Sequence, residues 1–271
     1  MRLLLGWALA GSLSLFACGD SSSASNDDGS GGGAAAHQPA KLDVFGSQYS
    51  TIAFEIDYAT GAEPYTGDIA GFGDVWSLFE TNAARLYQGR GKTITVPTQL
   101  DEMEELTDVT GDSFDQDAIF AIANEHRDQA STTSTATFYV LWLDGLFDDG
   151  TGARDDVLGV SFGDTGVIAM FKPVIESTGA GTPGLGVEKY VEQASLVHEL
   201  GHAVGLVDNG VSMTTMHKDD AHGAHCSNPD CVMYYQIESK SGAIQFVQQM
   251  LQSQSSILFG DECLGDVDAV P

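Results

Sequence analysis

The chain has 271 residues, 39 of them acidic and 11 basic, for a formal net charge of −28. So negative a balance excludes a nucleic-acid partner, whose phosphates would be repelled, and it favours neutral or basic partners over acidic ones without assigning one. Setting aside the first 40 residues leaves roughly 230, enough for one large domain or two closely packed lobes.

Met1 and Arg2 precede an apolar run from Leu3 to Ala17, shorter than the roughly 20 residues that a membrane-spanning helix needs. Residues 1–17 therefore read as a secretory signal. The run ends in LFAC, which resembles the lipobox of bacterial lipoproteins and makes Cys18 the lipidated first residue of the mature chain; plain secretion is the alternative. Residues 18–40 are rich in Gly, Ser and Ala, bury no core and form a tether. The expected location is the bacterial cell envelope, outside the cytoplasmic membrane, with contact to the membrane through lipid only.

The rest, residues 41–271, reads as a mixed α/β domain. Residues 50–58, STIAFEIDY, alternate apolar and polar as a strand with one buried face does. Residues 74–88 carry Val75, Trp76, Phe79, Ala83 and Leu86 at helical spacing; residues 92–96 read as a strand and 115–129 as a second helix. ATFYVLWL, residues 136–143, is the continuous apolar run of a central strand. An acidic loop at 144–156 matches no calcium-loop spacing, and short strands follow at 157–162 and 167–171. A long helix is expected over 185–205, an irregular stretch beyond it, and a closing helix over 242–258.

The long helix carries HELGHAVGLVD, residues 198–208. Positions i and i+4 share a helix face, so His198 and His202 can offer their imidazoles to one metal ion, with Glu199 beside it. A carboxylate so placed can take a proton from water that zinc has acidified to a pKa of about 7. Gly205 suits the positive φ that ends a helix, and Asp208 stands where a returning chain can offer a third donor.

These residues, with HCSNPDCVMYY at 225–235, resemble the metzincin clan of zinc metallopeptidases, whose pattern is HExxHxxGxxH or D followed by a Met-turn. The resemblance implies a metzincin-like zincin fold. Its upper lobe, about 41–205, would hold a twisted mixed sheet, helices and the active-site helix; its small irregular lower lobe, about 206–271, a Met-turn and a C-terminal helix. It also implies peptide or protein substrates, a catalytic Zn²⁺, Glu199 as general base, Met233 in the Met-turn and Tyr235 as an oxyanion stabiliser. The strand at 167–171 would be the sheet edge that receives substrate. The alternatives are a non-catalytic zinc- or peptide-binding lipoprotein on the same fold, which the intact Glu199 disfavours, and a thermolysin-like peptidase, which the lack of a downstream NExxD disfavours.

Within the clan the chain is most similar to the archaemetzincins, with the motif HExxHxxGxxHC, four residues, C, one residue, M. HELGHAVGL and HCSNPDCVM both match, but the insert VDNGVSMTTMHKDDAHGA, residues 207–224, separates them. The third zinc ligand is thereby left open: Asp208 has the right offset from the helix and leads, His225 has the right neighbour in Cys226, and His217 lies between. Archaemetzincins hold a second, structural zinc with four cysteines. Here Cys226, Cys231 and Cys263 match three of them, and Gly260 stands in place of the fourth. Either a histidine such as His222 or His225 completes a second zinc site, or two cysteines are oxidised; the favoured expectation is a disulfide in which Cys263 ties the C-terminal helix to the Met-turn region.

Overall fold

The computed structural model describes residues 41–69, 73–181 and 186–271; the signal run, Cys18 and the tether lie outside them. The main sheet has six strands: β1 (Thr51–Ala59), β2 (Thr93–Thr95), β3 (Glu104–Leu106), β4 (Thr135–Leu143), β5 (Gly159–Ser161) and β6 (Val167–Phe171). Their order is β5-β6-β4-β1-β2, with β3 also paired to β1, and all pairs are parallel except β5 with β6. The six α-helices of the described residues are α1 (Ser77–Leu86), α2 (Gln116–His126), α3 (Lys172–Ser177), α4 (Val187–Ala203), α5 (Lys240–Ser253) and α6 (Asp261–Asp268). None is long and apolar enough to cross a membrane.

β4 behaves as its apolar run predicts: from Ala136 to Leu143 every residue is buried, between β1 and β6. β1 departs from the expected single buried face, because its polar residues also turn inward. Glu55 accepts the backbone N–H of Asp128 and Gln129 at 2.5 and 2.8 Å, and Asp57 accepts the Tyr139 hydroxyl at 2.7 Å. A buried carboxylate is tolerated where such donors replace water. Here the sequence alternation reflects two differently solvated interior faces.

The second departure concerns the sheet edge. The strand at 167–171 was expected there, but β6 lies inside, between β4 and β5, and its five residues are all buried. On that side of the sheet the edge strand is β5, the one antiparallel member. β6 reads as an interior strand once paired, since VIAMF has no polar residue to face water.

α4 packs against β5, β6, α1, α3 and α5 and is buried along most of its length. Its early turns are anchored by a charge. Lys172, at the start of α3, reaches Glu192 on α4 at 2.7 Å, with the two side chains 3% and 0% exposed. The Tyr65 N–H donates to the same carboxylate at 2.8 Å, and the Lys172 ammonium sits 3.4 Å from the centre of the Tyr65 ring. Two segments, the one at Tyr65 and the start of α3, are thereby pinned to the helix that bears the HExxH motif.

Candidate functional site

α4 ends in a Schellman arrangement. Gly205 N–H donates to His202 O and Leu206 N–H to Gly201 O, at 3.0 and 2.9 Å, with Gly205 at φ +89°. A methyl group at Gly205 would also press on the Asn209 carbonyl and the Lys41 side chain, so only glycine fits. The chain then passes through Val207 and Asp208, both left-handed at φ 56° and 57°. That turn carries Asp208 out of the site: its half-exposed carboxylate lies 3.8 Å from Lys218 Nζ. Asp208, the leading candidate for third donor from the sequence, is absent from the histidine cluster.

The residue that arrives is His225. Its Nε2 is 3.3 Å from His202 Nε2, which is 3.1 Å from His198 Nε2. His198 Nδ1 faces the Val232 carbonyl at 2.6 Å and His225 Nδ1 the His222 carbonyl at 2.5 Å. A carbonyl only accepts, so both rings donate from Nδ1 and turn Nε2 to the centre, where Glu238 beside His225 raises that ring's pKa. Burial, then His225, holds His198 down to about 4, and burial with both other histidines holds His202 well below the usual range. Neutral imidazoles are what a metal requires. Three nitrogens bonded at about 2.0–2.1 Å to a tetrahedral zinc stand about 3.3 Å apart, so the donor set fits that ion.

Glu199 is 5% exposed and lies against the edge strand: a methyl group built on Gly159 of β5 would sit 3.0 Å from its Cγ. Burial and the charge of Glu238 push its carboxyl well above the usual carboxylate range. Met233 packs beneath α4 so closely that any side chain at Gly201 would overlap its sulfur. The Met-turn and the glycine inside HELGH are thus fitted to each other.

Tyr235 opens a 3₁₀ turn, Tyr235–Glu238. Its ring stacks on His222 at 3.6 Å, and its hydroxyl accepts from Gln236 Nε2 at 3.2 Å. The residue of this turn that meets the histidines is Glu238, with Oε1 3.1 Å from His225 Nε2. Sequence reasoning missed it. The available signal was faint: in a 3₁₀ turn residues i and i+3 share a face, so an acid three after Tyr235 points the same way. A cleft of about 1040 Å³ runs from this turn past Val157, Gly159 and Val160 to Asp115 and Asp148.

The cysteines form a second centre. Cys226, Cys231 and Cys263 are all buried and free, with 3.6 Å between the sulfurs of Cys231 and Cys263, so the expected disulfide is not what the structure shows. His217 joins them, its Nδ1 3.3 Å from Cys226 Sγ, while its Nε2 faces Asp266 at 2.6 Å. The sequence offers His217 as a ligand of the first centre, but the structure sets it at the second; His225 sits among the other histidines and His222 stacks on Tyr235. The insert explains the geometry. It folds back so that Lys218 bridges Cys226, and Ser227 N–H donates to His217 O at 2.7 Å, which sets His217 beside Cys226.

The other features suit a soft cation. Gly260 N–H donates to Cys231 Sγ at 3.1 Å, and at Gly260, the missing fourth cysteine, a Cβ would press on Glu262, Cys231 and Asn228. The Cys231 and Cys263 thiols, with help from His217, hold Cys226 strongly down as a thiolate. Burial opposes charge on His217, and Asp266 and Cys226 outweigh it and raise its pKa, so a metal at Nδ1 would have to displace a proton. Donor atoms of His217, Cys226 and Cys263 lie within 4.8 Å of one another, Cys231 adjoins them through Cys263, and Asp266 orients the ring.

The helix bearing HExxH thus lies beneath an antiparallel edge strand, with Met233 packed under its Gly201. By sequence, neither a protein family nor a curated protein matches the chain. Among solved structures the fold is similar to archaemetzincin from Methanopyrus kandleri, at 12% identity and a TM-score of 0.46, over 82% of this chain and 96% of that one. It is also similar to a zinc-dependent peptidase from Methanocorpusculum labreanum (strain Z), at 12% identity and a TM-score of 0.42, over 79% of this chain and 99% of that one.

Proposed function

We propose that the chain is a zinc-dependent metalloendopeptidase, with a catalytic zinc on His198, His202 and His225 and a structural zinc on His217, Cys226, Cys231 and Cys263. The observation that carries the reading is the convergence of three Nε2 atoms, 3.1 and 3.3 Å apart along the two measured edges, beside a buried glutamate. When bound there, zinc would polarise the scissile carbonyl and acidify water.

The chain's own groups do the rest. Glu199 takes the proton from water and later returns it to the leaving amine, a transfer suited to a carboxyl whose pKa burial has raised. The substrate backbone lies along β5, whose free edge borders the cleft, and main-chain hydrogen bonds hold it extended. Tyr235 lines the same cleft, so the oxyanion role falls to it only if its hydroxyl leaves Gln236.

The test is Glu199→Gln in the mature protein with a denatured protein as substrate. Activity should fall by at least about a hundredfold with zinc content unchanged, the range that loss of a general base produces. Zinc-loaded wild type that cleaves nothing in a broad peptide library would replace this reading with the zinc- or peptide-binding one.

A further inference from the structure

We propose that Glu238 is a fourth donor to the histidine metal site, a carboxylate gate that closes the site at rest and swings aside when substrate enters. The inference rests on the zinc-peptidase reading and adds a regulatory element to it.

The geometry is that of a donor. Ligand atoms of His198, His202, His225 and Glu238 all lie within 4.8 Å of one another. The Glu238 Oε1 to His225 Nε2 separation, 3.1 Å, equals the His198 to His202 separation, also 3.1 Å. The edges of a zinc tetrahedron measure about 3.3 Å, so along its edge to His225 the carboxylate has the spacing of a fourth donor. His225 Nδ1 donates to the His222 carbonyl, and Glu238 raises the pKa of the ring, so without a metal Nε2 meets the carboxylate as the N–H of an imidazolium. Once metal binding requires the rings neutral, lone pairs of three rings and an oxygen face one point. A proton on one ring relieves one such contact; a dication relieves them all.

Its surroundings make Glu238 movable where the histidines are not. His198 is 0% exposed and His225 6%, whereas the Glu238 side chain is 52% exposed and lines the cleft. The backbone on either side is held: Ser239 caps α5 through Gly242 N–H at 3.3 Å and bridges to Val157 beside the edge strand. Opening therefore needs only rotation of one side chain toward solvent, in the direction from which a peptide arrives. A catalytic zinc site keeps one position free of protein; here that position is filled by the one donor that can leave.

The test uses the mature protein with zinc in the cysteine site and cobalt(II) in the histidine site, titrated with azide and followed by the visible spectrum of cobalt. Wild type should bind azide at least about tenfold more weakly than Glu238→Ala, since apparent affinity falls by the fraction of molecules that are open. Glu238→Gln should fall between the two. Repeating the titration at about 1 M salt, where a Debye length is about 3 Å, separates ligation from charge: the difference persists if the carboxylate is a ligand and collapses if it acts through space. Equal azide affinities in wild type and Glu238→Ala, or a difference that salt abolishes, overturn the gate. Failure of cobalt or zinc to occupy the histidine site at all would overturn the zinc-peptidase reading with it. An occupied, gated site with no activity would leave the gate standing and remove only the peptidase.

Discussion

The third histidine is decided by backbone, not by motif. HELGH can be read from spacing alone, because helical periodicity is the only geometry it needs. The donor that follows the helix depends on how the chain leaves it, and two consecutive left-handed residues, Val207 and Asp208, send it away before the insert brings it back at His225. Zinc content per chain tests the assignment. Wild type should hold two ions and Asp208→Ala should keep both. His225→Ala should lose the catalytic ion and its activity, with affinity weakened by at least about a hundredfold, the upper range seen even for residues that only support a ligand. His217→Ala should lose the other ion. Retention of two zincs by His225→Ala together with loss of one by Asp208→Ala would reverse the assignment. The residues least visible in the sequence, Glu238 and Asp266, share a reason: each is an acid among many, three residues along a helical turn from a recognisable partner, Tyr235 in one case and Cys263 in the other.

At the scale of elements, the sequence shows where strands and helices lie better than how they are paired. Residues 167–171 form a strand as expected, and the long helix falls at Val187–Ala203 within the span foreseen. Edge and interior are set by the order in which strands assemble, a tertiary property that a five-residue apolar run does not encode, and β5 takes the edge instead. α6, eight residues with four acids, has too short an apolar stripe to read as a helix, yet it delivers both Cys263 and Asp266. The joint between these elements is electrostatic. Lys172 and Glu192 are 3% and 0% exposed, and the Tyr65 N–H satisfies only one oxygen of the carboxylate. Removing the lysine leaves a buried charge, so Lys172→Met should destabilise the fold by about 3–5 kcal/mol, read from the urea midpoint. The double variant Lys172→Met with Glu192→Leu should recover most of the loss, since an apolar pair carries no desolvation penalty. A single variant within about 1 kcal/mol of wild type would show that the pair does not pin α4.

Over the whole molecule, the charge of −28 becomes functional through its distribution. The cleft is bordered by Asp115, Asp117, Asp148, Asp149, Asp156 and Glu238. Among the described residues lining it the single basic side chain is Arg154, which Asp149 and Asp156 already clamp at 2.8 and 2.9 Å. A groove lined by one sign of charge concentrates ligands of the other sign and speeds their encounter. A peptide that carries Lys or Arg on both sides of the scissile bond should therefore be cleaved with a kcat/KM about tenfold above that of the same peptide with Glu at those positions. The advantage should shrink as salt rises from about 0.05 M to 0.5 M, because exposed carboxylates are screened beyond a Debye length of about 10 Å at 0.1 M. Replacing Asp115 and Asp117 together by Asn should reduce the preference without altering zinc content, since neither touches the histidines or the cysteines. Equal kcat/KM for the two peptides at low salt would mean that the acids serve the solvated surface alone, and that the substrate is recognised through its backbone along β5.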